Sequence, residues 1–320
     1  MPQRTKMRLS CATGWSLIEL LISTLLGGML VLLFVSGWVL SYHTFRQTHQ
    51  FSELHYHAQF VHSFFQQELV NQSFWAGIAI EHIQSQDILS PQPDCQSPLD
   101  SGSIPRPSLP YFPIFSGTVG SNLTLSCLTQ AKNGSDFLQL KRLAGHKLTR
   151  STLRTNRLYL EQARTPSRFV HTGSRDLTTD ADYWPYVHQV FYVAEQQVQG
   201  NTIPVLMRKR LVRQASGQLT MDTSSVVDGV EMMVFEFGVD QNFDGQTDFF
   251  VPANHIDAAV WQQQQGRIVQ LRYFVLVRSR LADPTYTNRQ RYQLGLRHFT
   301  APADHFRRML LSSAVSFHQP

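Results

Sequence analysis

From Leu17 to Leu40 the chain runs for 24 residues with a single charged side chain, Glu19. As a helix rising ~1.5 Å per residue, this segment is roughly 36 Å long, enough to cross a ~30 Å hydrocarbon layer. A cleaved secretory signal has a shorter apolar region ending in small residues, whereas Trp38, Tyr42 and His43 occur here. The stretch before it carries Arg4, Lys6 and Arg8 and no acid. The positive-inside rule therefore places residues 1–14 in the cytoplasm and the bulk of the chain on the far side. A single-pass membrane protein is the expectation.

Glu19 needs its own explanation. A carboxylate inside an apolar span is costly and marks a functional position unless it reaches back to the headgroups. Its context is specific: Gly14-Trp15-Ser16-Leu17-Ile18-Glu19-Leu20-Leu21-Ile22 resembles the processing motif of type IV prepilins and pseudopilins, whose usual form is G-F-T-L-I-E-L-L-I. Trp15 stands where Phe is usual and keeps the size and aromaticity. The resemblance implies that a prepilin peptidase cuts between Gly14 and Trp15 and methylates the new amine. It implies a leader of residues 1–14 and places Glu19 fifth in the mature chain. Among staggered parallel helices, the freed amine of a neighbouring Trp15 is the nearest cation for Glu19. Such a pair would take both charges out of lipid and set the axial register between subunits. The proline that major pilins carry falls near Ser36 and is absent. Gly27, Gly28 and Gly37 offer bending or close helix packing instead.

Beyond Tyr42 the pattern becomes amphipathic. Phe51, Leu54, Ala58, Val61, Phe65 and Leu69 recur at steps of three and four, one helical face. One helix from about Trp15 to about Phe74 is expected: residues 15–42 in the membrane or filament core, residues 43–75 its amphipathic half. His55, His57 and His62 read as surface or packing histidines, since no carboxylate accompanies them at metal spacing. Residues 76–320 are expected to form a β-rich head. Seven prolines between Pro91 and Pro113 predict an extended, sheet-poor loop. Expected strands are Asn122–Leu128, Phe137–Leu143, Arg157–Gln162, Val187–Ala194, Val205–Arg213, Glu231–Val239, Ile268–Arg278 and Met309–Phe317, on β-branched and aromatic enrichment. With Cys11 in the leader, the mature chain keeps Cys95 and Cys127 and goes to an oxidising compartment, so a Cys95–Cys127 disulfide is expected. The predicted class is α+β, pilin-like: a long N-terminal helix on an antiparallel sheet.

Three segments, Val226–Asp248, Leu271–Arg280 and Ala303–Gln319, resemble the PilW-like minor pilins, which the length also favours. The expected partners are then the prepilin peptidase, major and minor pilins, and the inner-membrane assembly platform. The expected location is the inner membrane with a periplasmic head, then the extracellular pilus. A J-type pseudopilin of type II secretion is the nearest alternative. A tip-located adhesin or DNA-binding module using residues 83–183 is another.

Asp240, Asn242, Asp244 and Asp248 put oxygens at positions 1, 3, 5 and 9 of a calcium-type loop with Gly245 at 6. Gln246 would offer its carbonyl at position 7. Position 12 is Val251, not the bidentate Glu of an EF-hand, and a metal-free Asp/Asn/Gly hairpin turn is the alternative. PilW-like proteins often carry such segments, so calcium is the one cofactor to test. Lys141, Arg142, Lys147, Arg150, Arg154 and Arg157 follow one another without an intervening acid. They read as a solvated hairpin face more than a nucleic-acid site, since aromatic interleaving is lacking. No nucleophile elbow, zinc helix, Walker loop or dinucleotide fingerprint occurs, so no enzyme is expected. The net charge of +5 shrinks without the leader: 28 basic residues less its three leaves 25 against 23 acids. Most of the basicity that invites a nucleic-acid reading orients the precursor instead.

Overall fold

A computed structural model describes residues 16–72, 74–85, 88–163, 166–198 and 200–317. The chain divides into two compact units, residues 1–52 and 53–320. One helix, α1 (Leu17–Val70), runs through both. Its N-terminal part is long and apolar enough to cross a membrane, with mean hydropathy 2.4 over its best window. It ends four residues before the expected limit near Phe74.

The C-terminal part of α1 lies in the same compact unit as the strands and supplies part of its core. Leu54, Ala58, Val61, Phe65 and Leu69 are buried, while Phe51 at the start of that stripe stays exposed. The strands are β1 (Ile114–Thr118), β2 (Asp136–Leu143), β3 (Tyr159–Gln162), β4 (Arg168–Val170), β5 (Asp182–Val198), β6 (Asn201–Arg213), β7 (Leu219–Asp228), β8 (Val230–Asp240), β9 (Phe249–Pro252), β10 (Arg267–Arg278), β11 (Arg291–Leu294), β12 (Arg297–Thr300) and β13 (Arg308–Ser316), with a single helical turn, α2 (Ala258–Trp261), before β10. They form an antiparallel seven-stranded sheet, an antiparallel four-stranded sheet in the order β13-β10-β8-β9, and a β11–β12 hairpin.

The 17-residue β5 is the spine of the larger sheet. On one edge it pairs with β3 through Asp182–Pro185 and with β2 through Tyr186–Phe191. On the other it pairs with β6, which pairs with β7. The turn from β7 to β8 requires glycine: Gly229 sits at φ +86°, and a Cβ there would lie 2.7 Å from the Arg278 carbonyl. The two sheets meet around Phe65. Its ring lies 5.8 Å from that of Phe191 on β5, 6.1 Å from Phe235 on β8 and 5.4 Å from Tyr273 on β10. Across the smaller sheet, Arg308 on β13 reaches over β10 to Glu231 on β8 with Nε 2.5 Å from Oε2, and its Nη2 meets Asp304 at 2.6 Å.

Asn122–Leu128 is not a strand. The Ser121 hydroxyl donates to the Thr118 carbonyl at 2.7 Å, and the Thr124 hydroxyl donates to the Ser121 carbonyl at 2.8 Å and accepts from the Gly120 amide at 2.9 Å. These local bonds wind the chain into turns, and such competition with a ladder is what Ser and Thr side chains do best. Strands β1, β4, β7, β9, β11 and β12 were not expected from the sequence. The Pro91–Pro113 loop carries only two isolated bridges, Ser97–Asp100 and Arg106–Leu109.

Phe65→Ala removes the ring that both sheets share. It is expected to cost about 3–5 kcal/mol in denaturant unfolding of the full chain, against about 0.5 kcal/mol or less for Tyr56→Ala at the exposed surface.

Candidate functional site

Gly14 and Trp15 lie outside the described residues. Glu19 is described, and its role in the helix is local. Its Oε2 accepts the Ser16 amide at 3.2 Å. With α1 starting at Leu17, Ser16 is the N-cap and Glu19 the third helical residue, the spacing of a capping box. The S-x-x-E signal was present in the sequence and is an independent reason for an acid here.

Cys95 and Cys127 form the expected disulfide, with Cα atoms 4.8 Å apart and both residues buried. The bond pins the Pro-rich loop to the turns after β1. Beside it, the Ser126 amide donates to the Gln96 carbonyl at 2.9 Å and the Ser126 hydroxyl to the Asp94 carbonyl at 2.7 Å. On the chain-entropy account, closing a loop of this length is worth roughly 3–4 kcal/mol.

What the sequence did not reveal is a charged core beneath that loop. Lys141 on β2 and Asp100 in the loop are both 0% exposed, and Lys141 Nζ lies 2.7 Å from each Asp100 oxygen. Asp100 also accepts the Phe112 amide at 2.9 Å, the Gly102 amide at 3.1 Å and Gln139 Nε2 at 3.2 Å. The ammonium sits 4.2 Å from the centre of the Tyr111 ring. Burial pulls the Lys141 pKa down while Asp100 pushes it back up. The neighbouring Asp94 accepts the Ser103 hydroxyl at 2.6 Å and the Ser103 and Cys95 amides. Burial outweighs those donors and raises its pKa. The Tyr186 hydroxyl donates to the Ser103 carbonyl at 2.7 Å, which leaves Tyr111 to donate to Tyr186 at 2.7 Å.

Ser103 Oγ also meets His188 Nδ1 at 2.9 Å, and Gln139 Nε2 meets His188 Nε2 at 3.0 Å. Because the Ser103 proton is directed at Asp94, His188 must donate from Nδ1 and accept at Nε2. Burial and the Lys141 charge hold its pKa well below the usual value, in keeping with that neutral form. A serine, a histidine and an aspartate thus touch, but with the serine in the middle and its proton committed to the acid. All three are buried. The arrangement holds a loop; it does not present a nucleophile.

The basic run does not form a single solvated face. Lys141 is buried, Arg142 pairs with Glu68 on α1 at 2.9 Å, Lys147 pairs with Asp182 at 3.1 Å, and Arg150 donates to the Leu177 carbonyl at 3.0 Å. Of the histidines, His62 Nδ1 meets the Tyr273 hydroxyl at 3.1 Å and His55 is exposed.

The acidic loop joins β8 to β9. Asp240 is buried and accepts the Asp244 amide at 3.1 Å, the Gly245 amide at 2.8 Å and Arg267 Nε at 2.9 Å. Burial alone would raise its pKa, but the Gly245 amide, Arg267 and the Asp244 amide together hold it below the usual carboxylate value. Asn242 accepts the Asp244 amide at 3.0 Å, Asp244 accepts the Gln246 amide at 2.7 Å, and Asp248 accepts the Gln241 amide at 2.7 Å. Phe243 at φ +64° and Gly245 at φ +91° make the reversals. A cation entering this loop competes with Arg267 for Asp240. No group of three or more His, Cys, Asp or Glu side chains is gathered for a metal among the described residues.

Lys141→Met leaves the Asp100 charge buried without its counter-ion and is expected to cost about 3–5 kcal/mol in denaturant unfolding. Replacing Asp100 by Asn in the same chain should recover much of that loss.

Residues 190–318 match the family model of PilW, Type IV Pilus-assembly protein W. The match runs from within β5 to the end of β13, and it lies beyond the charged core's loop, the disulfide and β1 to β4. No curated protein and no solved structure matches the chain.

Proposed function

We propose that this chain is a minor pilin subunit of a type IV pilus that acts in assembly, priming the filament or standing at its tip. The observation that carries the reading is the Gly14–Ile22 motif at the head of a span-length apolar helix. The pilus-assembly family match over residues 190–318 supports it from the other end of the chain. In this reading prepilin peptidase releases residues 1–14. The precursor sits in the inner membrane with its head in the periplasm, and major pilins, minor pilins and the assembly platform are its partners. A J-type secretion pseudopilin and a tip adhesin or DNA receptor are the competing readings. Deletion of the gene separates them: lost surface pili supports assembly, whereas normal pili with lost attachment or DNA uptake supports a binding module. Lost secretion with intact pili supports the pseudopilin.

Glu19 has two separable jobs in this proposal, capping its own helix and pairing with the Trp15 amine of a neighbour. Gln at the third helical position keeps the cap but not the charge. Glu19→Gln is therefore expected to abolish incorporation into pili as fully as Glu19→Ala. Normal incorporation of Glu19→Gln would leave capping as the sole role.

Calcium binding by Asp240, Asn242, Asp244, Gln246 and Asp248 is also proposed, motivated by the oxygen spacing and the two left-handed residues at positions 4 and 6. Millimolar calcium is expected to raise the melting temperature of the full chain, and Asp244→Ala to remove that response. An unchanged melting temperature would leave a metal-free hairpin turn closed by Arg267 and the loop's own amides.

A further inference from the structure

Beside α1 the larger sheet carries arginines that lack counter-ions. Arg208 and Arg210 on β6 stand opposite Phe191 and Gln189 of β5, and these in turn stand opposite Leu138 and Leu140 of β2. Side chains alternate along a strand, so Arg208, Arg210, Phe191 and Arg142 share one face. It is the face against which α1 packs, since the Phe191 ring lies 5.3 Å from that of Phe64. Arg157, just before β3, joins the group: Arg208, Arg157 and Arg142 all repel the Arg210 charge, and together with burial they lower its pKa, with Glu68 opposing.

Glu68 is committed to Arg142. Asp222 on β7 stands opposite Arg210 in register but makes no ion pair with it. Arg157, Arg208 and Arg210 have no side-chain hydrogen bond or ion pair among the described residues, and the Nε of Arg208 is buried without a partner. Half-buried like charges held together without compensation destabilise the isolated chain, so what retains them is sought outside it.

We infer that Arg157, Arg208 and Arg210, beside the Arg142–Glu68 pair, form a docking surface for an acidic segment of another protein, one that presents closely spaced protruding carboxylates. Half-buried guanidiniums beside a helix offer planar donor edges that a protruding carboxylate can meet with two parallel bonds. A nucleic-acid duplex instead needs cations standing clear of the surface along its backbone, and a single strand needs free rings for stacking. Phe191, opposite Arg208, and Phe64 beside it are already packed against each other and against Phe65, and Phe64 also stacks on Phe60. That the partner is another pilus subunit rests on the assembly reading; recognition of carboxylates by this surface does not.

The test uses the full chain in detergent micelles and a fluorescent glutamate-rich helical peptide as probe, read by anisotropy at low salt. Arg208→Gln combined with Arg210→Gln is expected to weaken peptide binding about tenfold or more. Arg289→Gln combined with Arg291→Gln removes equal charge from exposed positions and should change it by about twofold at most. The Arg208/Arg210 double variant should melt at or above the wild-type temperature, because it relieves repulsion. The inference is overturned if the two double variants weaken binding equally, if the peptide does not bind, or if a DNA duplex of matched charge displaces it and binds more tightly. Piliation does not enter this readout, so a chain that binds the peptide yet proves dispensable for pili would sink the assembly reading alone.

Discussion

Phe65 is buried where one helix faces two sheets, and the head depends on that contact. Its neighbours Phe191, Phe235 and Tyr273 come from three strands spread over the last half of the chain. An antiparallel sheet with one face against a helix needs an apolar stripe of matching length, and Leu54 to Leu69 supplies it over about four turns. A single helix therefore does two unlike jobs. Its first half is apolar all round, as a hydrocarbon layer demands, and its second half is apolar on one side, as a folded head demands. The pattern changes beyond Tyr42, and the second compact unit begins after Ser52, where Leu54 opens the buried stripe.

The second organising contact is ionic and lies under a loop rather than in a sheet. A buried ammonium needs its full set of partners, and Lys141 obtains them from Asp100 and the face of Tyr111. Asp100 in turn orders the loop by accepting the Gly102 and Phe112 amides, which draws its later half back onto the acid. The proline-rich segment is thus fixed by a disulfide at one end and by a charge pair in the middle. Such a pair adds little net stability over apolar packing, but it tolerates few alternatives, so it specifies one loop conformation.

The sequence showed what repeats and hid what converges. The helical stripe was legible because burial imposes a period on it, the long inner strands β5, β8 and β10 because they are rich in β-branched and aromatic residues, and the disulfide because two cysteines follow Cys11. Strand β7 was not, because Leu219–Asp228 lies at the sheet edge and reads as polar. Asn122–Leu128 alternated like a strand, yet Ser121 and Thr124 bonded their own backbone instead. Lys141 looked like one member of a basic run, and nothing local distinguishes it. Its partner lies 41 residues away, in a loop whose prolines suggest exposure. The arginine cluster was hidden for the same reason: its members come from β2, the approach to β3, and β6. Capping by Glu19 was legible in Ser16–Glu19 but was masked by the stronger processing motif.

The ion pair between Glu231 and Arg308 joins two strands of the smaller sheet that lie far apart in sequence. Glu231 opens the four-stranded sheet on β8, and the guanidinium closest to it arrives on β13, 77 residues later. A head emerging amino end first can align β8, β9 and β10 before that strand appears, but Glu231 then still lacks its closest counter-charge. Arg278 on β10 stands 3.7 Å from that acid, and β13 adds the closer guanidinium with two bonds. Strands β8, β9 and β10 by themselves would leave one edge of the smaller sheet bare and the two-bond partner of Glu231 missing; β13 supplies both.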